Sequence, residues 1–94
     1  MAKAVWNGLV VAESENYEEI EGTIYFPPES VKLEYLRESR TVYQCAYRGT
    51  ARYYSLEVNG QFLEDAAFYF SDPTPAVAYI QDYVAFEKGV EVTK

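Results

Sequence analysis

The stretch Leu56-Glu57-Val58-Asn59-Gly60-Gln61-Phe62 decides how this sequence is read, and Val5-Trp6-Asn7-Gly8-Leu9-Val10-Val11 repeats its logic. Each sets Asn-Gly between apolar runs. A two-residue type I′ turn needs positive φ at both central positions, which Asn and Gly tolerate best, so each stretch predicts a β-hairpin. Upstream of Asn59, a strand over 51–58 places Tyr54, Leu56 and Val58 on one face and Tyr53, Ser55 and Glu57 on the other. Before it, 41–47 alternates as well: Tyr43, Cys45 and Tyr47 against Val42, Gln44 and Ala46. Downstream, 62–63 and 66–70 continue the sheet until Asp72-Pro73-Thr74-Pro75 breaks it.

Working outward, an acidic connection over 13–19 precedes a strand around Ile20. Another strand over 23–26 stops at Pro27-Pro28, because proline cannot donate to a ladder. Segment 29–36 fits two patterns. One is a short helix with Ser30 as N-cap and Leu33 and Leu36 on one face; the other is a 3₁₀ turn plus a strand in which Val31, Leu33 and Tyr35 alternate. Thr74 as cap and Pro75 at the first position predict a short helix over 76–80. Strands near 83–86 and 90–92 close the chain. The expectation is mainly β: a small single domain over 1–94 with seven or eight mostly antiparallel strands. They form two packed sheets or a half-open barrel, with one or two short helices.

Composition narrows the chemistry. Ninety-four residues, 49% of them hydrophobic and 17% aromatic, suffice for one domain with a core of its own. One cysteine, Cys45, forms no internal disulfide, which predicts a reducing, cytoplasmic setting. No histidine and one cysteine exclude a protein-only zinc site and the Ser-His-Asp and Cys-His nucleophiles. A carboxylate site for Mg²⁺ stays open on composition. Eight basic residues are scattered among fifteen acidic ones, which opposes a nucleic-acid partner and an anionic membrane surface. No apolar run approaches the roughly 20 residues of a membrane span, and the first residues lack a signal peptide's apolar stretch.

The segment Cys45-Ala46-Tyr47-Arg48-Gly49-Thr50-Ala51-Arg52-Tyr53-Tyr54 concentrates the candidate site. Gly49 lets the backbone turn or approach a bound group. Arg48 offers a planar fork to a carboxylate or phosphate. Tyr47, Tyr53 and Tyr25 supply aromatic walls with polar tips, and Asp65 orients Arg48. Cys45 beside Arg48 is either a reactive thiol or a small buried hydrophobe. The competing structural account is a tight turn under an aromatic layer, with Arg48 bridging to Asp65. Glu64-Asp65 does not form a paired carboxylate site, since adjacent strand residues face opposite ways. The ten tyrosines suit ring stacking, an interface or cross-strand packing. The acidic run over 13–21 reads as a solvated edge that discourages edge-to-edge pairing.

Over nearly its whole length the chain resembles the family known as Domain of Unknown Function 427, also labelled nucleotidyltransferase-like. The resemblance rests on Ala4-Val5-Trp6-Asn7-Gly8, Tyr25-Phe26-Pro27-Pro28, the turn from Cys45 to Ala51 with Tyr53-Tyr54, Asp65-Ala66-Ala67-Phe68-Tyr69, Pro73, and Val84-Ala85-Phe86. Family members often carry Pro at Ala46, Trp at Tyr47 and Phe68, and Lys at Arg48. The resemblance implies a β-tent-like fold of two sheets meeting at an angle, similar to methionine sulfoxide reductase B and cereblon-type ligand domains. Those relatives hold zinc with two cysteine pairs; this chain needs aromatic packing in the metal's place.

The expected function is a non-catalytic binding module, without metal or cofactor. It would take a small anionic or aromatic ligand, or a peptide, at the Arg48-Gly49 turn. One alternative is a carboxylate- and Mg²⁺-dependent nucleotidyl or phosphoryl transfer enzyme, in which Asp65 meets Asp72 or Asp82. The other is a structural or regulatory interaction domain; the chain is expected as a monomer or weak homodimer.

Overall fold

The computed structural model describes all residues, Met1–Lys94. Strands β1 (Ala2–Trp6) and β2 (Leu9–Ser14) form the hairpin predicted at Asn7-Gly8, where φ is 56° and 77°. The second predicted hairpin joins β6 (Gly49–Val58) to β7 (Gln61–Phe70) through Asn59-Gly60, with φ of 50° and 80°. A third lies inside the acidic segment: Glu21-Gly22 turns β3 (Glu18–Ile20) into β4 (Thr23–Tyr25). Strands β5 (Leu36–Cys45), β8 (Val84–Phe86) and β9 (Glu91–Thr93) complete the set.

The nine strands form three antiparallel sheets, ordered β2-β1-β9, β3-β4 and β5-β6-β7-β8. Two links tie them together without closing a barrel. Phe26 and Val84 exchange backbone hydrogen bonds of 2.8 and 2.9 Å, joining the end of β4 to β8. The Lys32 N–H donates to the Val11 carbonyl at 2.9 Å, seating the chain after Pro27-Pro28 on β2.

No α-helix forms. Segment 29–36 forms neither the short helix nor the strand in which Val31, Leu33 and Tyr35 alternate: two 3₁₀ turns, Pro28–Ser30 and Leu33–Tyr35, lead straight into β5 at Leu36, and the second of them takes up Leu33 and Tyr35. The helix expected after Thr74 is a 3₁₀ segment, Pro75–Ile80, broken at Val77. Thr74 caps nothing: its hydroxyl donates to the Tyr47 carbonyl at 2.6 Å, and its N–H to the Arg48 carbonyl at 3.0 Å. Those bonds staple the segment to the β5–β6 turn. No helix is long and apolar enough to cross a membrane.

The long strands bend. Between Glu38 and Val42, β5 advances four residues while β6 advances two, from Tyr54 to Arg52. Likewise β7 advances four from Leu63 to Ala67 while β6 covers Leu56 to Tyr54. Such bulges kink a sheet and raise its twist. Asp65 lies in the second, at φ 51°. Its carboxylate accepts the hydroxyls of Ser39 at 2.5 Å and Thr41 at 2.7 Å from the first. Its own N–H donates to the hydroxyl of buried Ser55 at 3.0 Å. Asp65 therefore pins the corner of the sheet.

Strand alternation divides the apolar residues between two layers. Phe26, Leu56, Ala67 and Val84 join Ala2, Ala4, Val11 and Ala12 in the larger core, with Tyr54 and Tyr69 against it. Their immediate neighbours Tyr25, Ala85 and Phe68, with Ala51, Tyr53 and Phe70, build a smaller cluster with Ile80. The first layer is covered by β1 and β2. The second has the Pro75–Ile80 segment over part of it, with Ile20 of β3 and Tyr83 at its margin.

Candidate functional site

The thinly covered layer borders an open-mouthed cavity of about 220 Å³. Phe68 is its hub. The Phe68 ring centroid lies 6.1 Å from Tyr25 at an interplanar angle of 89°, 5.8 Å from Tyr53 at 43° and 6.0 Å from Phe70 at 84°. The contacts with Tyr25 and Phe70 are edge-to-face, favourable beyond the area they bury, and together the rings form a wall. Tyr43 adds a further ring, and Arg48, Cys45 and Glu87 supply the polar lining.

The turn that ends β5 positions the polar residues. Gly49 sits at φ 111°, and a Cβ there would meet the Asp72 carbonyl at 3.0 Å. The close approach that glycine permits is therefore to the chain's own backbone, and Gly49 does not line the cavity. Arg48 then folds back from the turn. Its Nη2 meets Glu21 Oε2 at 2.6 Å, with the Arg48 side chain 20% exposed and that of Glu21 81%. Its Nε is buried with no hydrogen-bond partner. The hydrogen bond that Arg48 donates to Glu21 raises the guanidinium pKa further, so Arg48 stays charged.

This corrects the expected Arg48–Asp65 pair. The two bulges carry Asp65 to the corner of the sheet, where Ser39 and Thr41 satisfy it, and the β3–β4 hairpin brings Glu21 to Arg48 instead. A second correction concerns Tyr47. Alternation put it beside Tyr43 and Cys45, but β5 ends at Cys45 and the turn rotates the next residues. Tyr47 is 82% exposed and borders a separate open hollow with Ile20, Ala76 and Val77. Arg48 and Glu21 line that hollow too, which makes Arg48 the partition between the two concavities.

The titrating groups record these environments. Burial pushes the Cys45 thiol up, yet the backbone N–H groups of Tyr47 and Arg48 and then the Arg48 guanidinium outweigh it, leaving the pKa below the ordinary thiol value. Burial raises Tyr25, with Arg48 opposing. Burial also raises Tyr53, and Glu87 adds to it. Arg48 and Glu87 thus give the cavity lining one group of each sign.

Of the seven residues singled out in the sequence, Arg48, Tyr25, Tyr53 and Cys45 converge on the cavity. Gly49 shapes the turn, Tyr47 faces the other hollow and Asp65 lies at the corner. Sequence reasoning missed Tyr43, Phe68, Phe70, Glu87 and Glu21. The period-two spacing of Phe68 and Phe70 was a usable signal for the wall; nothing local marked the two glutamates.

The family model that matches, over residues 1–94, is described as a domain of unknown function, DUF427. Its nucleotidyltransferase wording is a short name and no more. No curated protein matches the chain.

Proposed function

The chain belongs to the DUF427 family, and from that premise we propose a non-catalytic binding module whose ligand is small, carries a planar or apolar body, and enters the cavity beside the Arg48-Gly49 turn. The observation that carries this reading is the ring wall centred on Phe68 around about 220 Å³ of space. Ligand sites are concave and mostly apolar, with a few placed polar groups; Arg48 and Cys45 are those groups here. An unpaired single thiol puts the module in the cytoplasm on this reading.

The transfer-enzyme alternative needs Asp65 to meet a second carboxylate, and the hydroxyls of Ser39 and Thr41 engage it instead. One observation favours self-association as a second reading: Val42 and Tyr43 stand exposed on the edge strand β5, with Tyr47 just beyond it. Light scattering giving a monomer at high concentration counts against it.

A thermal-shift screen of small metabolites tests the leading reading. Wild type should show saturable shifts with aromatic or planar compounds, and Phe68→Ala should lose them while remaining folded by circular dichroism. No shift with any compound, or shifts that survive in Phe68→Ala and in Arg48→Ala, overturns it.

A further inference from the structure

We propose that β5 is a dimer interface: a second copy of this chain pairs with it antiparallel over Thr41–Cys45, with Tyr43 on the two-fold axis. This rests on the self-association reading and names its surface and register. β5 is an outer strand of its sheet, and no backbone group of it bonds to a strand other than β6. The other outer strands are covered or short. Val11 of β2 accepts the Lys32 N–H, and Val84 of β8 exchanges bonds with Phe26. β3, β4 and β9 have 3 residues each.

The two halves of β5 differ. Natural sheets blunt a free edge with charges and bulges, and the first half has both: Arg37, Glu38 and Arg40, with the bulge between Glu38 and Val42. The second half, Thr41-Val42-Tyr43-Gln44-Cys45, has no charge and no proline, and it pairs regularly with β6 from Val42 on. Val42 and Tyr43 are 50% and 61% exposed, and as strand neighbours they point to opposite faces.

Symmetry sets the register. Antiparallel neighbours related by a two-fold axis place one residue opposite itself. The bulge bounds the segment on one side and the turn after Cys45 on the other, so centring on Tyr43 uses all of it. Val42 then meets Gln44, and Thr41 meets Cys45, of the second copy. Opposed residues share a face, so both cavities come to one side of a continuous sheet. Tyr43 is the one exposed ring lining the cavity, and there Tyr43 of the second copy covers it.

Charge selects a second copy over a foreign strand. Arg40 and Arg52, the latter paired with Val42 across the ladder, are exposed and form no ion pair, so a basic strand is repelled. An acidic strand brings its charge into a seam that holds no cation, against a chain of −7. A second copy brings an uncharged strand. Its Arg52 lies three strand spacings from the first, about 14 Å, beyond the screening length of about 8 Å.

Sedimentation velocity at chain concentrations from about 10 µM to 1 mM, the range of a weak contact, should show a monomer–dimer equilibrium. Because each copy carries −7, raising salt from about 50 to 500 mM should tighten it at least about threefold. Val42→Lys should weaken it at least about tenfold with an unchanged circular dichroism spectrum. Tyr43→Cys in a Cys45→Ala background should form a disulfide-linked dimer with oxidised glutathione, because opposed Cα atoms lie about 5 Å apart. Phe62→Cys in the same background, as exposed as Tyr43 but at the β6–β7 turn, should not. Val42→Lys dimerising as tightly as wild type, or Tyr43→Cys cross-linking no faster than Phe62→Cys, overturns the β5 pairing and leaves self-association standing. A dimer that loosens as salt rises is held by ion pairs and overturns the pairing as well. A monomer at every concentration ends both.

Discussion

Alternate residues at the end of β4 and along β6, β7 and β8 build two layers, and the two end differently. Phe26, Leu56 and Val84 face β1 and β2 and are sealed. Tyr25, Phe68 and Ala85 point the other way, under the Pro75–Ile80 segment, Ile20 and Tyr83, and there Phe68 stays half-buried. Where β1 and β2 cover it, a face closes into a core, and a hollow of about 280 Å³ opens only at its rim, beside Ile24, Phe86 and Val92. A face left with larger rings and less cover keeps a cavity. Alternation thus gives these strands one side packed by a second sheet and one side that borders a cavity.

The largest expected effect breaks the sealed face. Phe26→Ala or Leu56→Ala should cost about 3–5 kcal/mol, the transfer loss plus an unfilled void, seen as a lower urea midpoint. Phe68→Ala, half-buried beside space already empty, should cost less than half as much. Equal losses would erase the distinction between the faces.

Next comes the turn that joins the cavity to its cover. Gly49→Ala adds a Cβ at φ 111° against the Asp72 carbonyl, and should cost more than about 1 kcal/mol. Urea denaturation measures it; an unchanged midpoint means the turn and the Pro75–Ile80 cover are not coupled.

Alkaline pH sharpens the comparison. The phenols of Tyr25 and Tyr53 on the cavity face, and of Tyr54 and Tyr69 on the sealed face, all titrate above the ordinary value, burial being the first cause of each. A raised acid favours its neutral form in the fold. Its contribution is therefore complete below the unfolded phenol value of about 10 and is lost as pH rises through the folded one. Urea midpoints should fall from pH 9 to pH 11. Cys45 runs the other way: its folded pKa is lowered, so its contribution grows as pH rises through that value and is complete above about 8.5. Its alkylation by iodoacetamide should reach half-maximal rate below the pH of a free thiol, and Arg48→Ala should shift that profile upward.

The smallest effect is on stability at Arg48 itself. Because Glu21 is exposed, Glu21→Ala should change stability by less than about 1 kcal/mol, while leaving the ring wall intact. A larger loss in thermal unfolding would make the ion pair structural and weaken its reading as a partition.

Much of the architecture was legible from local chemistry. Asn7-Gly8 and Asn59-Gly60 announced their hairpins, and period-two spacing assigned Leu56 and Val58 to one face. The site was legible in part. Cys45, Arg48, Tyr25 and Tyr53 were found because ring and fork chemistry shows in single residues. Arg48's partner was not legible, because two bulges and a distant hairpin decide whether Asp65 or Glu21 reaches it. Alternation failed at Tyr47 because it holds only inside a strand, and Gly49's neighbour Asp72 arrives from a remote segment.

The most direct measurement is a chemical-shift titration of the aromatic ring signals with indole, a probe that carries no charge. The asymmetry of the two faces predicts saturable shifts at Phe68, Tyr53 and Tyr25, with Phe26 unmoved. Shifts centred on Phe26, or none at any ring, would contradict it.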